Sequence, residues 1–370
     1  MTAIKSNVNY TGIIDEAVER GWEIPDFTMK EIRNAIPSYC FKRNTLRSFY
    51  YVFHDLACIL ILGALSGYIN KVPNIYARAA LWCIYWLSQS TIWFGIWTLG
   101  HELGFVLHSA ILTPYYSWRY IHAKHHKNTG HMVREQSHIP TLRSETTLPP
   151  RNQDLDPNGS HSIFDESSLA TFCVLAYTLV IGYPVYLFTI YTGQKYAGGA
   201  NCFKPRCSAY KETQYWNVIL STIGVSTTLT IVMYCGYMFG WSTAIKHYVI
   251  PYSGCNVWLV LVTYLHHTDP KIPHYRNGVF NFQRGAALTV DRSYGFLVNY
   301  FHHHLSDTHV AHHFFSTIPH YHAQEATLHL KKALGRHYLC FDTPIAAALW
   351  NNWRACRFVE DEGDVVFYKR

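Results

Sequence analysis

Five stretches of this chain are long, apolar and almost free of charge: YYVFHDLACILILGALSGYI (50–69), ALWCIYWLSQSTIWFGIWTL (80–99), LATFCVLAYTLVIGYPVYLFTIY (169–191), VILSTIGVSTTLTIVMYCGYMFGW (218–241) and YVIPYSGCNVWLVLVTYL (248–265). A helix needs roughly 20 such residues to cross the hydrocarbon core of a bilayer. No water is available there to bond a peptide group, so the segments must be helical. The fold class that follows is an all-α integral membrane protein. A short link carrying Lys71, Pro73 and Arg78 joins the first two runs as a hairpin. Lys30, Arg33, Lys42, Arg43 and Arg47 precede the first run, which by the positive-inside rule puts residues 1–48 in the cytosol. The opening MTAIKSNVNYTGIIDEAVER lacks the basic start and apolar core of a secretory signal, so this end is expected to stay there.

Polar, histidine-rich segments occupy 119–168 and 266–370. Placing both on one face requires an even number of crossings. Of the last three runs only two then cross, and 248–265, the shortest and the one with Pro251 and Gly254, is expected to lie in the interface. The stretch 103–117 is too short to cross and is expected to lie there too. The predicted organisation is a cytosolic segment, 1–48, and a membrane domain, 49–370. Its four spans are 50–69, 80–99, 169–191 and 218–241, and a cytosolic helical cap carries the histidines.

Composition narrows the chemistry. Lys and Arg number 31 against 24 Asp and Glu, a net +7 that suits an anionic membrane surface as readily as nucleic acid, so charge alone does not choose between them. The 10 cysteines form no CxxC pair and read as reduced, buried thiols. Histidine, with 23 copies, is the outlier. Two clusters stand out: HAKHH (His122, His125, His126) and HVAHH (His309, His312, His313). Residues three and four apart share a helix face, so each motif aims imidazoles at one spot. Chance supplies one such pattern roughly 0.09 times in a chain of this length and composition, so two are not noise. Ser306, Asp307 and Thr308 offer N-cap chemistry for a helix starting at the second cluster. Imidazoles without thiolates suit iron, copper or zinc. Six exceed the three or four that one zinc takes, which points to two metals. Beside a membrane, a non-haem di-iron site activating oxygen against a lipid chain fits best.

These residues carry a resemblance. HAKHH within TPYYSWRYIHAKHHKNTGHM, HVAHH within FHHHLSDTHVAHHFFSTIPHYHAQEAT, YLHHTDPKIPHY and RGAALTVDRSYG are similar to motifs of the membrane-bound fatty acyl desaturases, and most to the endoplasmic-reticulum oleate (delta-12) desaturases of fungi and plants. The similarity runs from about residue 30 to the terminal VVFYKR. It implies two iron ions, molecular oxygen, and electrons from cytochrome b5 and its NADH-dependent reductase. It implies removal of two hydrogens from an oleoyl chain, carried on a phospholipid or on CoA, to give a second cis double bond. It also implies a multi-pass protein of the endoplasmic-reticulum membrane with its boxes facing the cytosol. No cytochrome b5-like segment lies within the chain, so the donor is expected to be separate. Carried over position by position, the second box falls on His122, His125 and His126 and the third on His309, His312 and His313. His267 and His303 match further family histidines that are candidate ligands. His302, His304, His320 and His322 are expected at solvated or supporting positions, and His54 with Asp55 at the interface.

The first box departs from the pattern. The family reads HECGH, whereas this chain reads HELGFVLH, with His101 and Glu102 followed by Leu103 and Gly104. GFVLHSAILTPYYSW (104–118) matches what lies further downstream, so an in-frame loss has removed the box's second histidine. His108 is the candidate substitute. Seven helical residues rise about 10.5 Å, however, and two nitrogens on one metal sit about 3 Å apart given metal–nitrogen bonds near 2.1 Å. The expectation is therefore weak iron binding and little activity. Within the same chemistry, omega-3 desaturation, hydroxylation, epoxidation and acetylenic bond formation remain open. From other classes, so do a non-catalytic subunit that dimerises with an intact enzyme and a metal transporter. The transporter would place its ligands within the spans, which these histidines avoid.

Overall fold

In a computed structural model, the chain is described over residues 20–148 and 167–370, the side chains of 101–103 excepted. Helices α1 (Met29–Ala35), α2 (Thr45–Ser66), α3 (Ile75–Leu103), α4 (Phe105–Ala110) and α5 (Tyr115–Asn128) are followed by α6 (Ser168–Thr189), α7 (Tyr215–Phe239), α8 (Trp241–Ala244) and α9 (Ile250–His267). The C-terminal third adds α10 (Phe282–Ala286), α11 (Phe296–Phe301), α12 (His309–Phe314), α13 (His320–Leu334) and α14 (Ile345–Ala355). Two minimal sheets stitch this third together. β1 (Pro273–Tyr275) pairs antiparallel with β4 (Val365–Phe367), and β2 (Val290–Asp291) pairs parallel with β3 (Leu339–Cys340).

The long helices start where side chains can cap them. Asn44 accepts from the Arg47 N–H, Asn74 from the Tyr76 and Ala77 N–H groups, and Ser167 from that of Ala170. Residues 45–71, 168–189, 212–239 and 241–267 are each long and apolar enough to cross a membrane. Helix α3 is the internal one, buried almost continuously from Gln89 to Gly100 between α2 and α9. It hides its polar groups by bonding them to helix carbonyls: Ser90 Oγ to Trp86, Thr91 Oγ1 to Leu87, and Gln89 Nε2 to Ile59 on α2.

The two segments expected in the interface are both helical. Residues 248–265 belong to a helical stretch, 241–267, as long as a span. Pro251 does not break it, because it follows directly on a π-turn over Ile245–Val249, a change of pitch of the kind that accommodates a missing N–H. Gly254 does not break it either: a Cβ there would lie 2.0 Å from Ser90 Oγ, so the glycine lets α9 and α3 touch. The stretch 103–117 divides into α4, a turn at Leu112 (φ 54) and the start of α5.

Helix ends define two faces. On one, Ser66, Tyr85 and His247 meet, with Tyr85 Oη 2.9 Å from His247 Nδ1. On the other, the Asn44 N–H donates to Tyr321 Oη (2.6 Å) and His267 meets His309. The α2–α3 and α7–α9 hairpins therefore close on one face and open on the other, where the histidines gather. All ten cysteines are free. Cys40, Cys202 and Cys255 are buried, but Cys83, Cys173 and Cys340 are exposed, against the expectation of buried thiols.

The expected cap of α12 is also replaced. Its N-cap, Thr308, makes no side-chain cap bond; Asp291, brought from β2, accepts the Val310 N–H at 2.8 Å and the Tyr338 hydroxyl. Burial pushes the Asp291 carboxyl up to about 7, against the pull of those two bonds. Asp291→Ala is expected to lower stability by about 1–3 kcal/mol for each buried donor left unpaired, and Asp291→Asn by less because an acceptor remains. Thermal melts of the purified protein in detergent would read the order parent, Asn variant, Ala variant.

Candidate metal centre

Helix α5 buries Tyr115, Trp118, Ile121, His125 and His126, a face repeating every three to four residues that seats the HAKHH motif against the core. Lys124, pointing away, donates from Nζ to the Ala209 carbonyl (2.6 Å) and ties this helix to the α6–α7 loop. Helix α12 is only six residues long and cannot hold itself. Val310, Ala311 and Phe314 fix one side of it against Ile32, Ala286, Ala287, Leu330 and Leu334. Its histidines are left facing α5, and the last turn of α9 adds His267.

Two groups of three histidines result: His122, His126 and His312, and His125, His267 and His313, with the ligand atoms of each group within 4.8 Å of one another. Nε2 of His122 and of His126 lie 2.9 Å apart, and Nε2 of His309 lies 3.1 Å from that of His267. These are the separations that two nitrogens on one metal adopt. The groups adjoin, with the His126 and His313 rings stacked at 4.2 Å.

Supporting bonds set the orientation of each ring. His125 Nδ1 donates to Glu135 Oε1 (2.5 Å), and Glu135 also accepts N–H bonds from Gly130, Gln136 and Ser137. Burial works to raise the Glu135 carboxyl, and the His125 pairing, together with His138 and the Gln136 N–H, outweighs it and holds the group below the usual range. Thr129 Oγ1 donates to the His125 carbonyl (2.8 Å) and accepts from His313 Nδ1 (3.1 Å), which leaves His313 Nε2 as the ring's lone-pair nitrogen. That atom is buried without a hydrogen-bond partner, as are His267 Nδ1 and His309 Nδ1. Burial, reinforced by neighbouring imidazoles, depresses His309 and His313 well below 6.5, so both are neutral and able to ligate near pH 7.

The structure adds His138 and Glu135 to this constellation. His138 stacks on His267 at 5.4 Å, is pushed down to about 3 by burial, and leaves Nε2 without a partner. In the sequence it is a lone histidine in a polar stretch with no spacing to mark it; Glu135, three residues before it, is marked only by the nearby HAKHH. Histidines of both groups, with His138 and His309, line a cavity of about 450 Å³. Its remaining wall is largely apolar and aromatic: Phe94, Trp97, Trp118, Tyr183, Leu259 and Val262.

Other expected positions fall elsewhere. The His101 side chain lies outside the described residues. His108 is fully buried in an aromatic cage of Trp97, Tyr115 and Trp118, and its Nε2 donates to the Trp97 carbonyl at 2.9 Å. It belongs to neither group, because Gly104 (φ 89) ends α3 and turns α4 back. His303 lines the cavity but is in neither group; its Nε2 lies 2.7 Å from Asp55 Oδ2. Asp55 is itself fully buried and not interfacial. His302 is likewise fully buried, wedged between Phe94 and Trp258 and not solvated.

Comparison with known proteins adds a second line of evidence. Residues 79–344 match the family model described as Fatty acid desaturase. The chain is 41% identical to a Delta(12) fatty acid desaturase of Mortierella isabellina over 96% of its own length and 93% of that protein, with the same figures for one of Mortierella alpina. An oleate hydroxylase of Claviceps purpurea is 34% identical over 97% of this chain and 84% of its own. Removing the Glu135 charge should loosen the centre: Glu135→Gln is expected to weaken metal affinity by roughly 10–100-fold. Iron per chain after dialysis against a graded chelator measures it.

Proposed function

The chain belongs to the fatty acid desaturase family, an oxidoreductase family of integral membrane proteins, and from that footing we propose that it introduces a second cis double bond into an oleoyl chain, the delta-12 reaction. The observation that carries this reading is the pair of histidine groups facing one mostly apolar cavity. The donor set is entirely imidazole nitrogen and mostly buried, burial keeps His309 and His313 neutral, and part of it is without other partners, which fits iron. In this proposal His122, His126 and His312 hold one ion and His125, His267 and His313 the other. His309 stands beside His267, and His101 of the first box is a further ligand in this reading. When bound, the two irons supply the oxygen activation that an unactivated C–H bond requires.

The chain's own residues do the rest. Glu135 and Thr129 hold His125 and His313 in the tautomers that present a lone pair. Tyr183, Leu259, Val260 and Val262 offer an acyl chain a wall on which no polar group of the substrate is needed. A largely apolar lining also excludes water from the reacting carbons. The electron donor in this reading is cytochrome b5 with its reductase, the membrane that of the endoplasmic reticulum, and the histidine face cytosolic.

The incomplete first box bears on how well this chain performs that reaction. His108, folded onto the Trp97 carbonyl, supports the reading that no second histidine replaces the lost one. A non-catalytic partner subunit is the alternative that this feature favours. Fewer than two irons per chain are expected in the purified protein, with a gain in iron when a Cys-Gly-His-containing segment is restored after Glu102; an unchanged iron content sinks the idea. Fatty-acid profiles of a yeast host lacking linoleate test the reaction. Linoleate from the chain or from its repaired form supports the proposal, whereas hydroxylated oleate redirects it to the hydroxylase chemistry of the Claviceps relative.

A further inference from the structure

Residues 293–304 belong to the region that the sequence places in the cytosol, yet they sit against membrane helices. Within them α11 exposes Phe296 (83%), Leu297 (67%) and Tyr300 (41%). This surface continues the outer face of α2, where Tyr50, Phe53 and Leu60 are exposed: Tyr300 Oη lies 3.4 Å from His54 Nε2, and the Phe301 ring stacks on that of His54. On the inner side the approach to α3 is closer still. A Cβ on Gly95 would lie 2.1 Å from the Phe301 carbonyl oxygen and 3.2 Å from Asp55 Oδ2.

Depth follows from the apolar runs. Asp55 is five residues beyond the start of the run 50–69 and Gly95 four before the end of the run 80–99. At 1.5 Å per residue both lie roughly 6–8 Å inside the apolar boundary. A carboxylate at that level is costly unless held. Asp55, with no exposed surface, is held from both sides, by His54 Nδ1 at 2.9 Å and His303 Nε2 at 2.7 Å. The segment dips and returns through unusual backbone: Gly295 at φ 89 on the way in, His303 and His304 at φ 52 and 60 on the way out. Within it Asn299 accepts from the Tyr294 N–H and donates to Ser293 Oγ, both at 2.9 Å, while both ring nitrogens of His302 are buried without a hydrogen-bond partner. Irregular backbone is tolerated at such depth only where protein buries it, as α2 and α3 do here. In water the same apolar surface would be left uncovered.

We propose that residues 293–304 form a re-entrant segment seated among the acyl chains of the leaflet on the histidine face, with Phe296, Leu297 and Tyr300 against lipid and the Asp55–His303 pair as its anchor. Since His303 also lines the central cavity, this segment is part of the wall between the lipid and that cavity.

The test uses the full chain with p-benzoylphenylalanine at position 296, reconstituted in phosphatidylcholine–phosphatidylserine vesicles, irradiated and analysed by mass spectrometry. The control carries the same label in place of Leu328, exposed on α13. Lipid adducts at 296 are expected at least about fivefold above the control, the contrast between a side chain roughly 5–10 Å below the headgroups and one in water. Equal yields, or cross-links to a second copy of the chain in place of lipid, overturn the proposal. If the label at 296 disturbs folding, the same label at Leu297 reads the same surface. The anchor is tested by hydrogen exchange: Asp55→Asn should speed exchange of the 296–304 amides about tenfold, with α13 unaffected. Unchanged exchange removes the anchor role.

Discussion

An imidazole nitrogen buried without a hydrogen-bond partner is an expense that folded proteins rarely tolerate, and this protein gathers several of them within a few ångströms. His267 Nδ1, His309 Nδ1, His313 Nε2 and His138 Nε2 all lie in one dry region. The arrangement survives because each histidine backbone is held by something else. Trp118 and Ile121 seat α5, Val310 and Phe314 seat α12, and the length of α9 carries His267 in from the membrane. Remove that apolar scaffold and the rings would turn outward to water. With it, they stay neutral and poised, as a metal requires.

The bilayer imposes the second constraint, and the two meet at α3. From Gln89 to Gly100 that helix is enclosed by its neighbours, so its Ser, Thr and Gln side chains there bond to helix carbonyls and its glycines admit other segments. Gly95 admits Phe301, and Ser90 receives Gly254. The hairpins that close on one face deliver their open ends, with His267 and the start of the histidine helices, to the other. The turn at Gly104 leads from α3 into α4, and the bond of His108 to the Trp97 carbonyl holds that connection against α3.

Much of this was legible in the sequence, and for identifiable reasons. Apolar runs of 18 or more residues announce helices whatever surrounds them, and two copies of a rare histidine spacing announce a metal-binding face. The failures share a cause too. Pro251 and Gly254 set the run 248–265 apart in the sequence, and a π-turn and a close approach to Ser90 make them compatible with helix. Asp307 and Thr308 looked like caps, but Asp291, distant in the chain, does the work. Asp55 looked interfacial from its place near a helix end, whereas it points inward to His303.

The sequence by itself determined that the chain is helical, that it is built for a bilayer, and that six histidines in two motifs face common ground, because periodicity and hydropathy act over a few neighbouring residues. Only the tertiary structure decided that five of those six divide into two groups, that His267 completes the second with His309 beside it, and that His108 and His303 stay outside. It alone decided that Glu135 and Thr129 fix their tautomers. Those outcomes depend on contacts between residues from 10 to nearly 250 positions apart. No local pattern encodes them; they are set by which helix faces the core allows to meet.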